Sequence, residues 1–340
     1  MQTRKNEVMG KVASDVAEGG AMSKPEILML VHILPEAMEA LDRRYETHHF
    51  WDLEDKAAFL AERGNRIRAI VTGGATGASR DLMQQLPNLE LITCYGVGVD
   101  AIDLTYAAER GVLVTTTPDL LTDDVADLAI ALMLAVSRNI VQGDAFVRSG
   151  EWLKGGMSLT RKMTGKAAGI VGLGRIGRAV AHRLEAFSMR IAYTGRAKKD
   201  GVSYQYYATP VELAKASDFL IVTASATADN VHLIDAAVFQ ALGPEGVLIN
   251  VARGSLVDQA QLIEALAQKE IAGAGLDVFE KEPLADPMLC FLSNVVLQPH
   301  QGSGTIESRT GMSELILSNL AAHFEGRPLV TPYSSISRSK

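Results

Sequence analysis

This chain predicts an α/β protein of doubly wound parallel sheets, and three observations carry the prediction. From Pro25 onward short apolar runs alternate with stretches whose apolar residues recur at helical spacing, the pattern of parallel strands with helices on both faces. The stretch Lys166 to Phe187 passes from an apolar run through a cluster of glycines straight into a helical pattern. A length of 340 residues is comfortable for two domains, each burying its own core.

Taken in order, Glu26 to Val31 reads as the first strand. Arg68 to Val71 is the next and runs into the loop Thr72-Gly73-Gly74-Ala75-Thr76-Gly77, with Leu82 and Leu86 facing inward from the helix behind it. Leu89 to Cys94 is a third strand, followed by Tyr95-Gly96-Val97-Gly98-Val99-Asp100. Ligands of doubly wound sheets sit outside the carboxyl ends of strands, so both glycine loops are candidate rims of a site, although the same residues also suit ordinary turns. Thr122 has the chemistry of an N-cap, Asp123 and Asp124 complement the helix dipole, and Val125 to Val136 supplies an apolar helix body. That helix is placed to cross between two domains, with Gly150 to Gly156 as an excursion before the glycine cluster. Further strands are expected at Arg190 to Tyr193, Phe219 to Thr223, Val247 to Val251, Gly275 to Val278 and Val295 to Leu297. A last helix, about Gly311 to Phe324, is placed to return the chain to the first domain.

Composition narrows the function classes. A formal charge of -7 leaves no basic surface for nucleic acid or anionic lipid to act through. Leu128 to Val136, the longest apolar run, falls far short of the ~20 residues of a membrane helix. Cys94 and Cys290 both stand among apolar neighbours, which favours buried reduced thiols and fits a cytoplasmic location. Residues 1–24 read as a disordered extension or leader, rich in Gly, Ala and charge.

The chemistry begins at Gly172-Leu173-Gly174-Arg175-Ile176-Gly177. Gly172 permits the tight turn, Gly174 lets backbone N–H groups approach a pyrophosphate, and Gly177 lets helix and strand pack closely. Strand, turn and helix stand in the required order, so the stretch reads as a dinucleotide site. An NAD site places an acid about 20 residues after the first glycine, to accept the ribose hydroxyls. Here Thr194-Gly195-Arg196-Ala197-Lys198-Lys199 offers no acid and three cations. An arginine fork suits a 2′-phosphate, so NADPH is preferred and NADH stays possible; the alternative is a solvated basic turn.

Arg253, Glu282 and His300 each stand at the end of a predicted strand, on the same sheet edge as the glycine turn. Reduction by hydride needs a proton donor for the new alkoxide, a cation for an anionic substrate, and a group that keeps the donor protonated. His300, Arg253 and Glu282 match those needs in that order. Each alone also has an ordinary reading as a loop histidine or a solvated ion pair.

The wording GLGRIG, NVARGSLVD, GLDVFEKEP and LQPHQGSGT resembles the D-isomer-specific 2-hydroxyacid dehydrogenase family, in its glyoxylate/hydroxypyruvate reductase branch. The likeness extends from about Pro25 to Pro332. It implies two Rossmann-like domains, the dinucleotide-binding one (122–307) inserted into a discontinuous substrate domain (25–121 and 308–340). It also implies a homodimer, a small 2-oxo acid substrate and no metal. By the same resemblance Arg253 binds the oxo acid, His300 is the acid in reduction, and Glu282, rather than Glu280, is its partner. Asp277 is expected on the nicotinamide carboxamide, with Ala252, Ile176 and Arg175 among the cofactor contacts. The backbone amides of Val97 and Gly98 are expected to hold the substrate carboxylate, with Gly74 in the neighbouring substrate loop. Trp152 resembles a residue that reaches the partner subunit's site, and otherwise reads as an anchor of the dimer interface. Thr223 to Asn230 departs from the branch's usual wording in a loop expected to wrap the cofactor.

Three alternatives frame this reading. Hydroxyphenylpyruvate or 2-ketogluconate would replace the smaller oxo acids if the pocket is larger. A non-catalytic sensor of nicotinamide redox state would bind without turnover. Phosphoglycerate and formate dehydrogenases fit less well, given the ending at Lys340, Arg196 in place of an acid, and Glu282 in place of a glutamine.

Overall fold

The computed structural model describes residues 24–283 and 285–333, which hold two parallel sheets. The leader expected over 1–24 lies, apart from Lys24, outside the described residues. The first sheet comprises β1 (Glu26–Met29), β2 (Glu46–His49), β3 (Ile67–Gly73), β4 (Leu91–Tyr95) and β5 (Leu113–Thr115), in the order β2-β1-β3-β4-β5. Its helices are α1 (Pro35–Arg44), α2 (Lys56–Arg63), α3 (Arg80–Gln84) and α4 (Leu104–Glu109). β1 and β4 are buried along their whole length because both faces are covered, which explains their continuous apolar runs.

α5 (Thr122–Arg138) and α6 (Ile140–Arg148) then lead to the second sheet. It contains β6 (Ala167–Val171), β7 (Arg190–Thr194), β8 (Gln205–Tyr206), β9 (Phe219–Val222), β10 (Val247–Asn250), β11 (Gly273–Leu276) and β12 (Val295–Leu297), in the order β12-β11-β10-β9-β6-β7-β8. Its helices are α7 (Arg175–Glu185), α8 (Pro210–Lys215), α9 (Ala236–Leu242), α10 (Gln259–Ala267) and α11 (Pro287–Phe291). In both sheets the order reverses beside the first strand, the topological switch point where such sheets take ligands. α12 (Ile306–Phe324) follows β12 and packs back on β4 and α1 of the first sheet. One cluster of buried residues runs from Ile27 and Val71 through Val125, Ala129 and Met133 of α5 to Ile170 and Ile249, so the two sheets share a central core.

Four details depart from the sequence reading. Thr122 does not cap α5; it is the first helical residue, and Leu121 takes the cap position without a side-chain bond. Leu121 is buried, and its anchoring draws the chain into the helix one residue earlier. α12 begins at Ile306 rather than Gly311, capped by the Thr305 hydroxyl, with Gly311 lying inside the helix against Leu120. The long helix breaks at Asn139, which adopts a left-handed φ of 49° and starts α6 in a new direction. Cys94 is buried as expected, but Cys290 is exposed, because α11 buries only Leu289 among its residues.

Candidate active site

β6 ends at Val171 and the chain turns at Gly172, whose φ of +95° is a left-handed value that glycine adopts freely. A side chain there would also meet Ala224, 2.5 Å from its Cα, so the loop after β9 closes the turn from behind. Gly177 fits because its Cα faces the Gly172 carbonyl, to which Thr223 Oγ1 donates at 2.7 Å. Gly174 differs: among the described residues nothing lies within 4 Å of where its Cβ would stand. The turn is thus walled on its inner side and open on its outer side, where α7 presents its N-terminus. That shape fits a pyrophosphate.

The basic loop adjoins this turn, since the Thr194 carbonyl accepts from Gly172 N–H at 2.9 Å. Two phenols brace it: Tyr193 Oη accepts from Lys199 N–H at 2.8 Å, and Tyr206 Oη donates to the Gly195 carbonyl at 3.3 Å. Thr194 is buried, while Arg196 and Lys198 are exposed beside it. Arg175 forms a surface ion pair with Asp119 at 3.0 Å, on the approach to α5. Ile176 packs partly against the core, and Ala252 is buried. The Thr223 to Asn230 loop folds on itself, Thr227 and Asn230 capping a short helical turn.

Across from the turn, His300 follows β12 with a left-handed φ of 56°, an uncommon value for a non-glycine residue. Its N–H donates to the Asp277 carbonyl at 2.9 Å. The next two amides, of Gln301 and Gly302, donate to the Asp277 carboxylate at 2.6 and 2.8 Å. Asp277 is 1% exposed, and burial pushes its carboxyl up, opposed by those amides and by the charge of His300. Asp277 therefore clamps the loop that holds the histidine in place.

His300 Nδ1 lies 2.6 Å from Glu282 Oε2, and Glu282 Oε1 accepts from Phe279 N–H at 3.1 Å. Burial raises the Glu282 carboxyl, but the His300 bond and charge, the Phe279 amide and nearby Arg253 outweigh it and hold the group below its ordinary value. A carboxylate on Nδ1 fixes that nitrogen as a donor and leaves Nε2 to face outward.

Arg253 extends from the loop after β10 into the first sheet's loops. Its Nε donates to both oxygens of Asp100, at 3.2 and 3.3 Å, and its Nη1 to the Ala252 carbonyl at 2.7 Å. A Cβ on Gly74 would stand 2.9 Å from Nη2, and one on Gly98 would overlap it. The expected Arg253, Glu282, His300, Asp277, Gly74 and Gly98 thus converge where the carboxyl ends of the two sheets meet, with Val97 37% exposed on the rim. Trp152 stands elsewhere. It is 66% exposed on a short helical turn after α6, beside Leu153 at 94%. Sequence reasoning missed Asp100, Tyr193 and Tyr206; Asp100 lies in the glycine loop after β4, but its partner is 153 residues away.

Residues 130–302 match the family pattern described as D-isomer specific 2-hydroxyacid dehydrogenase, NAD binding domain. The chain is 48% identical to the hydroxyphenylpyruvate reductase of Plectranthus scutellarioides, over 90% of this chain and 98% of that one. It is 47% identical to a glyoxylate/hydroxypyruvate reductase of Arabidopsis thaliana, with the same coverage of 90% and 98%. Among solved structures, the NADPH-dependent glyoxylate/hydroxypyruvate reductase of Sinorhizobium meliloti, in complex with NADP and malonate, superposes with a TM-score of 0.84 at 40% identity, covering 92% of this chain and 97% of that one. Likeness of this extent, across both sheets and the cleft between them, means that the chain belongs to the D-isomer-specific 2-hydroxyacid dehydrogenase family and is a nicotinamide-linked oxidoreductase.

Proposed function

We propose that the protein reduces small 2-oxo acids, glyoxylate and hydroxypyruvate foremost, to D-2-hydroxy acids with NADPH. The observation that carries the reading is the 2.6 Å His300–Glu282 pair set beside Arg253 at the meeting of the two sheets. NADPH, when bound, supplies the hydride. The glycine turn, with Gly172, Gly174 and Gly177, would hold its pyrophosphate, and Arg196 and Lys198 its 2′-phosphate. Glu282 keeps His300 Nδ1 occupied, so His300 delivers a proton from Nε2 to the substrate carbonyl oxygen. Arg253 Nη2 and the backbone of Val97 and Gly98 bind the carboxylate. Closing the cleft excludes water and strengthens these charges. NADH remains a slower substitute, because Thr194 is neutral.

This reading keeps domain boundaries near 121 and 307, a cytoplasmic location and a homodimer. The exposed apolar residues Ile140, Val141, Val147, Leu153 and Leu159 support the dimer, because a lone subunit would leave them in water. Trp152, in the same arm, would then lie against the partner.

Purified protein assayed with a panel of 2-oxo acids and both nicotinamide cofactors tests the proposal. Glyoxylate and hydroxypyruvate with NADPH should give the highest kcat/KM, and His300→Ala should lower kcat by about 10²- to 10⁴-fold. Absence of NADPH oxidation with every oxo acid, or unchanged turnover in His300→Ala, would overturn it. Hydroxyphenylpyruvate as the best substrate would move the assignment toward the activity named for the Plectranthus relative.

A further inference from the structure

The Arg253 guanidinium has three nitrogen edges, and the structure treats each differently. Nε faces both oxygens of Asp100, at 3.2 and 3.3 Å, and Nη1 is spent on the Ala252 carbonyl at 2.7 Å. Among the described residues Nη2 donates to no protein atom, and it lies in a slot between the Cα atoms of Gly74 and Gly98. A guanidinium is planar, so fixing two nitrogens fixes where the third points. An unrestrained arginine could turn any edge to an anion, or swing out of the cleft.

Asp100 is itself held. Its loop begins at β4, where the Cys94 thiol donates to the Gly98 carbonyl at 3.3 Å. Burial raises that thiol to about 12, so it stays protonated and keeps donating. A Cβ on Gly98 would come within 2.9 Å of Asp100 Oδ1 as well as overlapping the guanidinium. Gly98 therefore gives both members of the pair their room. Asp100 and Arg253 also belong to different sheets, so their contact registers one sheet's loops on the other's.

We infer that Asp100 is the positioning residue for Arg253: it occupies the Nε edge so that the Nη2 edge is presented, between Gly74 and Gly98, to the carboxylate of the 2-oxo acid. The inference rests on the function proposed above and adds to it a residue that never touches substrate. Its signature is a loss confined to oxo acid binding. A pair that merely stabilised the fold would change cofactor affinity and thermal stability together with KM.

The test compares wild type, Asp100→Asn, Asp100→Ala, Arg253→Lys and the double variant Asp100→Asn/Arg253→Lys, with glyoxylate and NADPH. Asp100→Ala should raise the KM for glyoxylate roughly tenfold or more, as expected for losing a charge-assisted bond. At saturation kcat should stay within about threefold, with NADPH affinity by fluorescence titration and Tm unchanged. Asp100→Asn keeps one oxygen acceptor and should fall between, so it carries the test even if Asp100→Ala does not fold. Lysine has no Nε edge to fix, so in the Arg253→Lys background Asp100→Asn should cost little further KM. An unchanged KM in both Asp100 variants, or the same proportional loss in the lysine background as in wild type, would refute the assignment of Asp100 while leaving wild-type turnover standing. A wild-type protein that turns over no 2-oxo acid would instead remove the reading on which the assignment rests.

Discussion

His300 owes its position to three consecutive backbone N–H groups, of residues 300, 301 and 302, all bound to Asp277. The left-handed backbone at 300 costs energy, and that clamp offsets it. Glu282 completes the arrangement from the other side. Its carboxyl is held below the ordinary range, so the pairing contributes stability that is complete above that range and is lost as pH falls through the lowered value. Glu282→Gln should lower kcat for reduction roughly ten- to a hundredfold, part of the ~10²–10⁴ carried by general acid catalysis. A kcat unchanged from wild type would contradict this. At this scale the sequence was informative wherever a motif fixes a residue's place relative to a strand end. Arg253, Glu282 and His300 were legible for that reason. Asp100 was not, because a contact between loops of two sheets leaves no local pattern, and neither did the phenols that brace the basic loop.

Secondary structure was legible in proportion to burial. The strands with clear apolar runs, β1, β3, β4, β6, β9 and β10, lie inside their sheets with neighbours on both sides. β2, β5 and β8, which no clear strand pattern marks in the sequence, are all edge strands, and β2 reads Glu-Thr-His-His with no buried residue. β2 and β8 bury no residue, so neither alternation nor an apolar run marks them, whereas β12, also at an edge, buries Val295 and Val296 and reads as a strand. Helix starts depended on chemistry beyond the helix. The Thr305 hydroxyl accepts from Ser308 N–H at 3.1 Å and donates to the Asp124 carboxylate in the first turn of α5, joining the N-termini of α5 and α12. Thr305→Ala removes both bonds and should destabilise the protein by about 1–2 kcal/mol. Denaturant unfolding followed by circular dichroism would measure it. A stability equal to wild type would show that the cap contributes nothing.

For the whole molecule, the alternation of strands and helices announced two doubly wound sheets, and the resemblance anticipated that one is nested within the other. Which surfaces meet was less visible. The arm from Ile140 to Leu159 looks in sequence like an ordinary connection, yet its apolar residues point outward, with Leu153 94% and Leu159 fully exposed. If a second subunit covers them, Leu153→Asp places a charge in that contact. The variant should elute as a monomer in size-exclusion chromatography with light scattering, and an undisturbed dimer would place the interface elsewhere. The two passages between the sheets have a further consequence. The outgoing strand of chain ends at Leu120 and the returning one begins at Thr305, and Ser308 Oγ donates to the Leu120 carbonyl at 2.6 Å. Departure and return therefore share one doorway. Residues 188 positions apart in sequence are thereby tied together at the point where the chain passes between the two sheets.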